Sequence, residues 1–324
     1  MKKIDTHCHI HCKRYIEELK RRGWALREVS IIEKAGVMDW QEYVEARIAS
    51  MDKLDIERQV LSPASPLCYF EDDEFNLYWC QAANDLLAEV CRKYPDRFSG
   101  FVTVPLRNVK HAIDELKRVI DAPGMVGVVL GSHLGGKMLD SPELMPFYEE
   151  LNKMGLTIFI HPAPPVDIDK VPAYQQLYNL HQFIGFLFDT TMAVARMVLK
   201  GIFEKYENIN LITSHLGGTL PYVYHSIDMM WESLVEDHIE VSPKPPSEYF
   251  KRFYADTGRP LKAATLQCAI ALLGERHILF GSDIPYWMDF NAPERIISAI
   301  EGIDLPVQTE EKIFYENAKR LLRC

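Results

Sequence analysis

Lys2-Lys3-Ile4-Asp5-Thr6-His7-Cys8-His9 is a strand-like run that ends in two histidines separated by one residue. Residues two apart on an extended strand project to the same face, so His7 and His9 offer two imidazoles to one point in space. Three other apolar runs end in a comparable way. Leu156-Thr157-Ile158-Phe159-Ile160 leads into His161, Asn210-Leu211-Ile212-Thr213-Ser214 into His215, and Ile278-Leu279-Phe280-Gly281-Ser282 into Asp283. If these runs are parallel strands of one barrel, their carboxyl ends converge on one mouth, which is where barrel enzymes place their chemistry.

Working outward, β-rich runs alternate with longer stretches of helical period. Strands are expected near Lys3–His7, Gln59–Ser62, Phe98–Val104, Val126–Leu130, Thr157–His161, Asn210–Ser214, Phe253–Asp256 and Ile278–Ser282. Helical patterns fall at Leu77–Tyr94, Val109–Asp121, Ser141–Met154, Ala193–Tyr206, Pro221–Leu234 and Lys262–Leu273. This alternation argues for a parallel sheet, and eight such units close into a (β/α)8 TIM barrel. A single domain over residues 1–324 is expected, with 10–50 inserted after the first strand and lying over the barrel mouth. Two proline-rich stretches, Pro162–Pro172 and Pro243–Pro246, read as loops because proline fixes φ and removes a donor; the first follows His161 and is placed to cover the site. The Asp72-Asp73-Glu74 run suits the positive end of a helix. Thr309–Leu322 reads as a closing helix with Thr309 as N-cap and Lys319, Arg320 and Arg323 at its negative end.

Composition bounds the function. A chain of 324 residues that is 48% hydrophobic and 25% charged has the apolar content to bury a large core. Its formal net charge of −10 gives no electrostatic footprint for nucleic acid or an anionic membrane surface. The first fifteen residues lack an apolar signal core and no uninterrupted apolar run is long enough for a bilayer, so a cytoplasmic location is the default expectation. The seven cysteines are scattered without a C-x-x-C pair, as expected of reduced thiols. Cys8 lies between two candidate ligands, but strand alternation sends it to the opposite face.

A lone histidine at a strand end is more often a hydrogen-bonded structural residue than a ligand. The joint pattern is different, because imidazoles of three strands and a carboxylate of a fourth meet at one barrel end. Neutral imidazole and carboxylate suit a borderline cation such as Zn²⁺, held at roughly 2.0–2.2 Å. A catalytic ion of this kind keeps one position open for solvent.

Thr6-His7-Cys8-His9, Ile160-His161-Pro162, Ser214-His215-Leu216-Gly217-Gly218-Thr219-Leu220-Pro221-Tyr222 and Phe280-Gly281-Ser282-Asp283-Ile284-Pro285-Tyr286 resemble the signature runs of the amidohydrolase superfamily. Within it, they resemble the branch of aminocarboxymuconate semialdehyde decarboxylase and γ-resorcylate decarboxylase. Gly201-Ile202-Phe203-Glu204-Lys205-Tyr206, Arg47-Ile48-Ala49-Ser50-Met51-Asp52 and Glu316-Asn317-Ala318 extend the likeness over most of the chain. The resemblance implies a non-oxidative decarboxylase of a small aromatic or unsaturated carboxylic acid. It implies His7, His9, His161 and Asp283 as ligands of one divalent metal, Zn²⁺ first and Mn²⁺ second, with Asp283 also part of the catalytic machinery. It makes His215 the general acid/base; a fifth ligand or a core histidine are its alternatives. One metal is expected because the fourth strand, Val126-Gly127-Val128-Val129-Leu130-Gly131-Ser132, offers no bridging lysine. Homodimers are common in the branch, and one is expected here.

For the substrate, Arg259 in Asp256-Thr257-Gly258-Arg259 is the candidate for gripping a carboxylate through two parallel bonds, with a surface or interface salt bridge as its alternative. Trp287, Tyr286, Phe186 and Trp24 are candidate pocket walls, equally readable as ordinary core. There are departures from the branch. Ile31-Ile32-Glu33-Lys34-Ala35-Gly36-Val37 lacks the substrate-gripping arginine of the aminocarboxymuconate enzyme, and Ser226 stands where arginine is frequent; Lys34 is a possible replacement. The same ligand set also serves a lactonase-like hydrolase or a hydratase, the second reading, and a third reading is a purely structural metal, which usually has four closed, Cys-rich ligands.

Overall fold

Eight parallel strands follow one another around a single sheet: β1 (Lys3–His9), β2 (Ile56–Ser62), β3 (Phe98–Thr103), β4 (Met125–Gly131), β5 (Thr157–His161), β6 (Asn210–Thr213), β7 (Tyr254–Asp256) and β8 (Ile278–Leu279). The computed structural model describes residues 1–11, 13–21, 40–63, 67, 69–163, 178, 180–259, 261–286 and 292–324. The sheet is closed along the seam between β8 and β1. Thr6 N donates to Phe280 O at 2.9 Å, Asp283 N to His7 O at 2.7 Å and His9 N to Ile284 O at 2.8 Å, and Cys8 bridges Ile284 in parallel. This is the (β/α)8 barrel expected from the sequence.

One apolar residue from every strand joins a single buried cluster: Ile4, Val60, Phe101, Val129, Phe159, Ile212, Tyr254 and Leu279. A cluster fed by all eight strands of a closed sheet lies inside it, as the layered interior of such barrels requires. Ala318 and Leu322 of the C-terminal helix Asn317–Leu322 belong to the same cluster, so that helix stoppers one end of the barrel. The alternate residues, among them Leu61, Val102, Val128, Ile158, Leu211 and Phe280, face a second, larger core under the surrounding helices, and a register shift between Asp5 and Cys8 turns Cys8 to that side as well. Cys8 therefore points away from the histidines, as alternation predicts.

The outer helices include Asp73–Lys93, Val109–Val119, Met145–Met154, Phe186–Leu199, Leu220–Glu236 and Ala263–Leu273. Asp72 caps the first of these, its Oδ1 accepting from Phe75 N at 3.0 Å, so the acidic run does mark a helix start. Several expectations need correction. The helix predicted over Ala193–Tyr206 starts earlier and breaks at Gly201, which takes φ 75°. Pro246 opens a short helix, Pro246–Phe250, rather than ending a loop. Thr309 is not an N-cap: the helix begins at Val307 behind Pro306, and the Thr309 hydroxyl donates to Glu275 Oε2 at 2.5 Å. The sixth and eighth strands stop at Thr213 and Leu279, earlier than predicted, because the chain beyond them turns to aim functional side chains. One described helix, His181–Leu199, is long and apolar enough to cross a membrane by length and composition, but Asp189 and Arg196 interrupt its apolar run and half of it is buried in the fold, with Val194, Met197 and Val198 in the outer core.

Within 10–50, helices Lys13–Arg21 and Trp40–Lys53 bound residues 22–39, which are outside the described residues together with Trp24 and Lys34. Most of the proline-rich stretch after His161 and Trp287 are outside them too.

Candidate metal centre

Strand register sets the carboxyl ends level. His9 pairs with Ser62, Gly131 with His161, Thr213 with Ala255, and Leu279 with Asp256. At that end His7, His9, His161 and Asp283 are all buried, and one donor atom from each lies within 4.8 Å of every other. His7 Nε2 stands 3.1 Å from His9 Nε2. Asp283 Oδ1 stands 3.1 Å from His9 Nε2 and 3.3 Å from His7 Nε2. Two donors bound to one ion at about 2.0–2.2 Å stand roughly 3–3.5 Å apart, so the spacing fits donors that share a cation.

Each histidine is turned so that Nδ1 meets a protein group. His7 Nδ1 pairs with Asp256 Oδ1 at 2.9 Å, His9 Nδ1 with Ser62 Oγ at 3.0 Å, and His161 Nδ1 with Pro162 O at 2.9 Å. Such outer partners fix the tautomer and direct the Nε2 lone pair inward. The His7 ring is held closely: a Cβ on Gly258 would lie 2.4 Å from its Nδ1, and one on Gly281 would lie 2.7 Å from its Cβ. Only glycine leaves room there.

The cluster is buried and strongly charged. Burial works against a charged His7, but the Asp256 and Asp283 carboxylates outweigh it and push the imidazole up to about 10. His9 is lowered to about 4 and His161 falls well below the usual imidazole range, in both cases first through burial and then through neighbouring histidines. Burial would raise Asp283, yet His7, His215 and His9 hold its carboxyl well below the usual carboxylate range. Two buried carboxylates and three imidazoles match a divalent cation in charge and in donor type.

His215 follows β6 in a left-handed turn, with φ 58° at His215 and 57° at Leu216; Asp283 also takes φ 57°. Such conformations in non-glycine residues cost about 1–3 kcal/mol each and are typical of functional sites. The turn aims His215 Nε2 at Asp283 Oδ2, 3.5 Å away, while its backbone N donates to Asp256 Oδ1 at 3.2 Å. His215 Nδ1 is buried with no hydrogen-bond partner among the described residues. Burial, first of all, lowers its pKa. Gly218, at φ +66°, permits a close backbone approach, since a Cβ there would lie 2.4 Å from Leu187 O.

Arg259 is near enough to Asp283 and His215 for electrostatic interaction. Its Nη1 and Nη2 donate to Gln182 O and Phe183 O at 3.1 and 3.2 Å, carbonyls of the π-helical turn His181–Gly185. Tyr286 places its ring edge-on to His9, with centroids 5.2 Å apart, and its hydroxyl 3.1 Å from His11 Nε2. Phe186 packs edge-on to His181 at 6.0 Å. Trp24 and Trp287 lie outside the described residues. Asp256 was missed: its signal, a carboxylate at the end of the seventh strand, is the same one that exposes Asp283.

The profile of the amidohydrolase family matches residues 4–324. The chain is 30% identical to 2-amino-3-carboxymuconate-6-semialdehyde decarboxylase of Dictyostelium discoideum, over 99% of this chain and 91% of that protein. It is 29% identical to γ-resorcylate decarboxylase of Rhizobium sp. strain MTP-10005, over 75% and 76% of the two chains. Among solved structures, 5-carboxyvanillate decarboxylase of Novosphingobium aromaticivorans, complexed with manganese and 4-hydroxy-3-methoxy-5-nitrobenzoic acid, superposes with a TM-score of 0.85 at 24% identity, covering 100% of this chain and 96% of that one.

Proposed function

The chain belongs to the amidohydrolase family, and from that premise we propose that it is a metal-dependent, non-oxidative decarboxylase of a small aromatic or unsaturated carboxylic acid. The observation that carries this reading is the buried three-histidine, one-aspartate cluster at the barrel mouth of a chain that matches a decarboxylase nearly end to end. His7, His9, His161 and Asp283 hold one divalent cation. When bound, it supplies positive charge that draws in the anionic substrate and stabilises negative charge developing on it. The donor set suits Zn²⁺ or Mn²⁺, and the manganese in the Novosphingobium enzyme supports testing Mn²⁺ beside Zn²⁺.

The remaining work falls to side chains. As the carbon–carboxylate bond breaks, its electron pair stays on the ring or alkene carbon, and His215 Nε2 delivers the proton that carbon needs. Asp283 Oδ2, 3.5 Å away, orients that nitrogen. Arg259 grips the substrate by exchanging a backbone carbonyl for a carboxylate, a stronger charge-assisted partner. Tyr286 forms one wall over His9, with Phe186, Trp24 and Trp287 as the further walls. Among the described residues of segment 10–50, Tyr15, Ile16 and Leu19 pack with Phe75 and Trp79 in a cluster that Tyr286 joins, which supports its reading as a cover over the mouth of a single domain. Scattered cysteines without a C-x-x-C pair support a cytoplasmic setting.

The substrate test is release of CO2 by protein loaded with Mn²⁺ or Zn²⁺ from 2,6-dihydroxybenzoate, 5-carboxyvanillate, 6-methylsalicylate and 2-amino-3-carboxymuconate 6-semialdehyde. Metal-dependent CO2 release from at least one acid is expected. Ring opening or water addition without CO2 would replace this reading with the hydrolase or hydratase.

A second copy of the chain is the proposed partner. Helix Leu220–Glu236 buries only Leu220 of its seventeen residues, leaving Tyr222 86% exposed beside exposed Met229, Met230 and Val235. The adjoining helix exposes Phe183, Ile184, Phe188 and Met192. Adjoining exposed apolar side chains of this kind mark an interaction site, and isologous pairing of one such face with itself is the commonest form of homo-oligomer.

A further inference from the structure

Below the donor cluster, Arg47, Gln59, Asp5 and Ser282 are each no more than 1% exposed. A guanidinium and a carboxylate so deeply buried are unfavourable unless they are paired and hydrogen-bonded. Here the Gln59 amide links them. Arg47 Nη1 donates to Gln59 Oε1 at 3.3 Å, and Gln59 Nε2 donates to Asp5 Oδ2 at 3.0 Å. Both ends then reach the metal centre through the backbone. Arg47 Nη2 donates to the carbonyl of His9 at 2.7 Å. Asp5 Oδ2 accepts from Ser282 Oγ at 2.6 Å, and Asp5 Oδ1 accepts from Ser282 N at 3.0 Å and from His7 N at 3.3 Å.

The seam is where such a brace has work to do. Regular pairing of β8 ends at Leu279, four positions before Asp283, and Asp283 sits in the left-handed region. Beyond that point backbone bonds, among them Asp283 N to His7 O and His9 N to Ile284 O, join the two edges, and the buried polar chain adds a side-chain tie across the same seam. We propose that Arg47, Gln59, Asp5 and Ser282 are positioning residues that fix His9 and Asp283 relative to each other, so that their donor atoms meet one cation. The proposal rests on the metal reading above. None of the four side chains touches a donor atom; the effect passes through the backbone of His7, His9 and Ser282. Outer partners that orient ligands typically contribute 10–100-fold to metal affinity.

The test compares Mn²⁺ dissociation constants and metal-free thermal midpoints for wild type, Ser282→Ala, Ser282→Thr and Gln59→Leu, with Val198→Ala as a control in the outer core. Ser282→Ala is the mild variant, since it keeps the backbone bond to Asp5 and decides the matter if Gln59→Leu does not fold. A rise of tenfold or more in its dissociation constant is expected, with recovery in Ser282→Thr and wild-type affinity in an equally destabilised Val198→Ala. Unchanged affinity in Ser282→Ala would overturn the proposal. So would an equal loss in Val198→Ala, which would reduce the effect to stability. Wild-type protein that binds no Mn²⁺ or Zn²⁺ would instead bring down the metal reading itself.

Discussion

His215 is the residue whose role separates chemistry from binding most clearly. Its ring is buried, its Nε2 faces Asp283, and its own backbone is tied to Asp256. On the proposed role of proton donor outside the ligand set, its removal leaves the four-donor cluster intact. His215→Ala is therefore expected to keep its metal and lose about 10²–10⁴-fold in turnover, the usual contribution of a positioned acid or base. Metal content and kcat measured on the same preparation check this, and loss of the metal would move His215 into the ligand set. Histidines and the carboxylate of Asp283 were legible in the sequence because each ends an apolar run. Of the partners of their Nδ1 atoms, Asp256 carries the same strand-end signal as Asp283, Ser62 comes near only through folding, and Pro162, next to His161, acts through a backbone carbonyl that side-chain type does not reveal.

At the scale of elements, the strand–helix alternation gave all eight strands, since an apolar β-rich run between two helical patterns has few other readings. Ends were harder to read where tertiary contacts outweigh local signals. Thr309 has the chemistry of an N-cap, yet Glu275 takes its hydroxyl and Pro306 opens the helix one turn earlier. Asp72 has a comparable signal and does cap, because Phe75 N lies 3.0 Å from its carboxylate. Asp72→Ala is expected to lower unfolding free energy by about 1 kcal/mol, with Mn²⁺ affinity unchanged, since helix Asp73–Lys93 supplies none of the four donors. Denaturant melts in parallel with metal titration would reveal it; a loss of affinity would mean that this helix helps to shape the centre.

For the whole molecule, the barrel was readable from the sequence but its exposed apolar face was not. The sequence shows a helical pattern over Pro221–Leu234 but not its surroundings, and the structure leaves helix Leu220–Glu236 with Leu220 alone buried. If a second copy covers it, the protein sediments at twice the chain mass, and Tyr222→Glu with Met229→Glu shifts it to the monomer. A wild-type monomer at micromolar concentration would argue against the pairing. Helix His181–Leu199 of that face also meets the site, through the close approach of Leu187 O to Gly218 and the bonds of Arg259 to Gln182 O and Phe183 O.

The central claim is one divalent cation held by His7, His9, His161 and Asp283. The measurement that meets it most directly is metal content per chain, on untagged protein after reconstitution with Mn²⁺ or Zn²⁺, for wild type and His161→Ala. About one equivalent in the wild type, lost in the variant, is the predicted result for a mononuclear centre with three histidine ligands and one aspartate ligand. No bound metal, two equivalents, or full occupancy in His161→Ala would contradict it.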